Sequence, residues 1–259
     1  VTSILLALAL AVLPTGRLAT AGTQSTGAGL CTNCSVPLAL EAGFPQTTQL
    51  TGSAATTIAS PSFTTAGASM LTVSVGQNNL NSGTLPLVTC VGTGGASGLT
   101  FTRLTHIEDA GTAVGCAIWY AYSSAALSSS TVSCTIPGTP SSMNAMIGVW
   151  SWTGASSTIG NSGISAAPSS STSNPQASVA AAATGSYVWG SVGEGNDTTT
   201  LAGTAIAGTT IDSAGTPSNF TAQAIIHSTN VTPDTSSRAY GSSRSVAWSW
   251  GCVGEVKAQ

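Results

Sequence analysis

The sequence predicts an all-β protein, an antiparallel β-sandwich of jelly-roll-like form. Three observations lead there. Apolar side chains recur at every second position in short runs, the spacing that gathers them on one face of a strand. Clusters of Gly, Pro, Ser and Asn separate the runs, and 30 glycines and 11 prolines supply the turns. The Ala-rich stretches lack a 3.6-residue pattern and are broken by Ser, Thr and Gly, so no helix is expected after residue 22.

The chain opens with an apolar run at residues 3–13 (S-I-L-L-A-L-A-L-A-V-L), followed by A-T-A at 19–21. That is the apolar region and small-residue end of a secretory signal peptide, and it is too short to span a bilayer. The basic n-region of such a peptide is missing. Residues 1–21 are therefore read as a signal-peptide-like segment, 22–35 as a linker and 36–256 as a single sandwich domain. Strands are expected at 56–63, at 69–75, where Leu71, Val73 and Val75 alternate with Thr72 and Ser74, and at 87–91 and 99–107. Residues 77–84 and 92–98 read as loops. Residues 154–175 are low in complexity and read as a long loop or irregular edge. Further strands are expected at 176–183, 186–192, 220–227 and 244–256.

The strongest strand signals lie between residues 113 and 154, read as three successive strands in the middle of one sheet. In the first, Val114, Cys116, Ile118, Tyr120 and Tyr122 share a face, and the opposite face is apolar too, so the strand is central. In the second, Val132, Cys134 and Ile136 form the apolar face. Folding these two strands back across residues 123–130 puts Cys116 opposite Cys134, and a disulfide between them is expected. The third, 143–153, carries Trp150 and Trp152 on one face.

Composition narrows the function classes. Only 5% of residues are charged and the net charge is −3, with five Lys and Arg, so there is no basic patch for nucleic acid. A Ser, Thr, Gly and Ala surface with six cysteines suits a secreted or extracellular-surface protein. The C-T-N-C at 31–34 has no second ligand pair at zinc spacing, and Cys90 and Cys252 stand apart, so bridges or buried thiols are the better reading. There is no G-x-S-x-G, P-loop or H-E-x-x-H.

Two sets of residues are candidate sites. Trp150 and Trp152, and likewise Trp248 and Trp250, stand two apart on one face of their strands, and an open indole face stacks on sugar rings. Core packing is the competing reading. Glu194, Asn196 and Asp197 in G-E-G-N-D offer hard oxygen ligands for a structural calcium, the one cofactor considered, with a solvated turn as the competing reading. His106, Glu108 and Asp109 form the densest titratable cluster, and Glu108 with Glu194 is the carboxylate pair a glycosidase would need.

In G-L-T-F-T-R-L at 98–104, I-W-Y-A-Y at 118–122, V-W-S-W-T-G-A at 149–155 and G-S-Y-V-W-G-S-V-G-E-G-N-D at 185–197, the chain resembles a family of β-sandwich proteins from secreted bacterial, environmental and phage sources. The resemblance implies the fold over about residues 40–256 and brings no catalytic residues. The cysteines are outside its pattern. With so few titratable groups, the favoured function is a non-catalytic module of an extracellular or virion surface, binding a glycan or a protein surface. The alternatives are a self-assembling filament or coat subunit that retains its apolar segment, and a secreted carbohydrate-active hydrolase.

Overall fold

The structure, a computed structural model, describes residues 36–53, 55–79, 88–109, 114–136, 143–167, 174–195, 200–218, 221–232, 234–246 and 248–259. The expected signal-like segment and linker, with Cys31 and Cys34, lie outside these. In chain order the strands are β1 (Ala39–Leu40), β2 (Gln46–Ser53), β3 (Thr57–Ala59) and β4 (Ser69–Asn79). Then come β5 (Thr89–Thr93), β6 (Thr102–Asp109), β7 (Val114–Ser123) and β8 (Thr131–Thr135). They are followed by β9 (Met143–Thr153), β10 (Ala155–Ala167), β11 (Gln176–Ala180) and β12 (Tyr187–Gly195). The last four are β13 (Thr209–Ser218), β14 (Thr221–Ser228), β15 (Ser237–Gly241) and β16 (Trp248–Ala258). One 3-10 turn, Gly94–Ala96, is the only helical element among the described residues.

The strands form an antiparallel, sandwich-like stack of sheets. A six-stranded sheet runs β1-β9-β4-β7-β6, with β2 also on β9, and a five-stranded sheet runs β10-β16-β12-β14-β13. Between them lies a core of Met70, Cys116, Ile118, Met146, Trp150, Trp152, Trp189, Ile225, Trp250 and Cys252. The other face of the six-stranded sheet is covered by β3-β8-β5, through Leu71, Val73, Val75, Trp119, Val132 and Ile147. The other face of the five-stranded sheet is covered by β11-β15, through Val179, Val188, Val192, Ile226 and Tyr240. Both main sheets are thus covered on both faces, which is why β7 and β9 carry apolar residues on each of their faces.

The period-2 faces of β4, β7, β8 and β9 hold as expected, but their partners differ; on β6 a bulge between Arg103 and Thr105 puts Ile107 on the opposite side of the sheet from Leu99 and Phe101. Strands β7 and β9 belong to one sheet with β4 between them, and β8 belongs to another. Residues 124–130 therefore carry the chain between layers and do not close a hairpin. Cys116 faces the five-stranded sheet, while Cys134 packs in the layer on the opposite side of β7. The expected Cys116–Cys134 disulfide is corrected accordingly. Cys134 bonds Cys90, its register neighbour on β5, and Cys116 bonds Cys252 across the two main sheets, with Cα atoms 5.9 Å apart. Two such bridges fit an oxidising, extracellular-type environment. Among the described residues no helix is long and apolar enough to cross a membrane.

The stretch read as a loop after residue 154 is instead the 13-residue strand β10, paired with β16. Its register slips on either side of Ile159. Strand β4 runs on to Asn79, into the region expected to turn.

Candidate functional site

Three of the four tryptophans expected to bind sugar are buried. Trp150, Trp152 and Trp250 are each at most 1% exposed because the second main sheet packs directly on their shared layer. The side chain of Trp248 lies outside the described residues. Room for Trp250 is made by glycines. A Cβ at Gly76 would come within 2.6 Å of its ring, and one at Gly193 would strike it harder, so no larger residue fits there. The other indoles find acceptors inside the core: Trp152 Nε1 donates to Thr72 Oγ1 at 2.8 Å and Trp150 Nε1 to Asp212 Oδ2 at 3.1 Å.

Asp212 reaches that position through a bulge. Ile211 pairs with Ile226 and Ser213 with Ile225, so Asp212 is the extra residue of β13 and its side chain is re-aimed. Its Oδ2 also lies 2.8 Å from His227 Nδ1 on β14, whose ring stands edge-on to Trp152. An aspartate taken out of water needs such partners, and here an indole and an imidazole supply them.

The other described carboxylates are engaged in the same way. Glu255 is fully buried on β16, and its oxygens accept from the amides of Asn161 at 2.9 Å, Ala182 at 2.8 Å and Ala183 at 3.2 Å. Glu41 accepts from Ser151 Oγ at 2.7 Å and from the Ala66 amide. Glu194, also fully buried, lies 3.4 Å from the Arg244 guanidinium. Asn196 and Asp197, its expected partners around calcium, lie outside the described residues, as do the side chains of Glu108 and Asp109. His106 is half-buried on β6. Among the described residues no three His, Cys, Asp or Glu side chains gather as metal ligands would.

A cleft of about 490 Å³ opens between β15 and two loops of the five-stranded sheet, at residues 207–208 and 230–232. Arg238 and Tyr240, two apart on β15, line it together with Asn230 and Val231. The Tyr240 ring is 5% exposed, packed in the outer core, and burial raises its phenol above the usual range, so it stays protonated at neutral pH. Beside it, Asp234 accepts from the Ser236 amide at 2.9 Å and from Arg238 Nη2 at 2.8 Å. The Ser236 amide first, and then Arg238, hold its carboxyl below the usual range.

None of the cleft residues was singled out in the sequence. The alternation of Arg238 and Tyr240 ahead of Gly241 was the available signal, and it is short. No protein-family model matches the chain, and neither a curated protein nor a solved structure matches it, so the functional reading rests on this geometry.

Proposed function

We propose that the chain is a non-catalytic β-sandwich of an extracellular or virion surface that works by binding a glycan or a partner's surface. The observation that carries this is the employment of the acids. Each described carboxylate, namely Glu41, Glu194, Asp212, Asp234 and Glu255, holds an amide, an indole, a hydroxyl, an imidazole or a guanidinium of the fold itself. General acid–base work needs a carboxyl or imidazole aimed at a substrate with a pKa tuned for transfer. Binding needs only shape, hydroxyls, amides and apolar contact, which this surface has.

Glu108, Asp109 and Asp197 are the acids whose side chains the described structure does not account for. A Glu108→Gln, Asp109→Asn, Asp197→Asn triple variant is expected to bind its partner as the wild type does. Neither protein should release reducing ends from a panel of polysaccharides. Turnover by the wild type that disappears with Glu108→Gln would replace this reading with the hydrolase.

A further inference from the structure

The cleft beside β15 combines features that neither core packing nor turn formation requires. Tyr240 has its ring in the core and lines the cleft, and among the described residues its hydroxyl makes no hydrogen bond. A buried tyrosine usually finds a hydrogen-bond partner for its phenol, and one that lines a cleft can find it in a polar ligand. Also in the lining, Asn230 is exposed, with one amide donor group and one acceptor. Val231 is 41% exposed at the rim, and Ala207 and Ala239 add methyl surface. The volume lies within the range of small-molecule sites, about 300–1,000 Å³.

Charge decides the ligand class. Arg238 is the one cation among the cleft residues, and Asp234 already lies 2.8 Å from its guanidinium. An anionic ligand would have to displace or approach that carboxylate, so the site gives a negative charge little advantage. The remaining guanidinium N–H groups still donate to neutral oxygens.

We propose that this cleft recognises the end of a neutral glycan. Tyr240, Asn230 and Arg238 would hydrogen-bond its hydroxyls, and its C–H face would pack on Val231 and the alanine methyls. The proposal rests on the reading of the chain as a binding module and gives that reading a location and a ligand class.

The test is an array of neutral and acidic oligosaccharides probed with the full chain, followed by titration of the best neutral ligand. Tyr240→Phe removes only the hydroxyl and keeps the ring in the core. Asn230→Ala alters an exposed rim residue. Each is expected to weaken binding roughly three- to tenfold, the value of one neutral hydrogen bond, with an unchanged thermal midpoint. Binding that is unchanged in both variants overturns the cleft and leaves the binding-module reading standing. Tighter binding of acidic glycans, or none of neutral ones, overturns the ligand class. Cleavage of the arrayed glycans overturns the binding-module reading, and this proposal with it.

Discussion

Glu255→Ala is expected to destabilise the domain by about 2–4 kcal/mol. Three part-buried amides lose their acceptor, at roughly 1–3 kcal/mol each where water cannot replace it, less the relief of no longer burying a charge. The reason lies in the sequence of β10. Its register slip frees the Asn161 amide from the ladder, and the turn after β11 leaves the Ala182 and Ala183 amides without strand partners. One carboxylate on β16, the strand beside β10, serves all three. It is seated where Gly160 leaves room, since a Cβ there would collide with the carboxylate. Glu255→Gln keeps one acceptor oxygen and should fall between the wild type and alanine. Urea unfolding of the three proteins measures this. A shift below about 0.5 kcal/mol for alanine would mean water already serves those amides.

Loss of the Cys116–Cys252 bridge is the second large effect expected. The bridge closes a sequence separation of 136 residues and joins the two main sheets. By chain entropy its removal costs about 5 kcal/mol, and native bridges usually give about 2–5. The Cys90–Cys134 bridge spans only 44 residues within one small sheet. Its loss should cost about 1 kcal/mol less on the same scaling. A Cys116→Ala, Cys252→Ala double variant should therefore melt about 2–4 °C below a Cys90→Ala, Cys134→Ala one. Peptide mapping without reductant should join the Cys116 peptide to that of Cys252. A Cys116–Cys134 peptide, or equal melting of the two variants, would contradict this arrangement.

Faces were legible in the sequence because side-chain alternation is local. The set Val114, Cys116 and Ile118 shares one core, and Val132 and Cys134 share another, as their spacing predicts. Sheet membership was not legible, because pairing is a long-range choice. Nothing in residues 123–130 distinguishes a hairpin from a crossing between layers, and β4, far earlier in the chain, is what separates β7 from β9. The same limit governs the tryptophans. Spacing of two residues puts Trp150 beside Trp152, but whether a second sheet covers them depends on β12, β14 and β16. Strand β10 was missed for another reason: its Ser, Thr, Gly and Ala residues carry little apolar signal, and it is held by backbone pairing and by Glu255. The cleft residues were hidden because Asn230 and Arg238 are separated in sequence by a turn and meet only when β11-β15 docks.

The proposed mode of binding keeps Trp119, Trp150, Trp152, Trp189 and Trp250 in the interior and leaves recognition to hydroxyls, amides, Arg238 and small apolar groups. Fluorescence quenching in a Trp248→Phe variant tests it most directly. Trp119, Trp150, Trp152, Trp189 and Trp250 then remain, the most exposed of them at 3%. The expected result is blue-shifted emission that iodide barely quenches until the protein unfolds, and that does not change when a bound glycan is added. Red-shifted emission readily quenched by iodide in the folded protein, and protected by ligand, would contradict the claim and restore an indole platform as the binding surface.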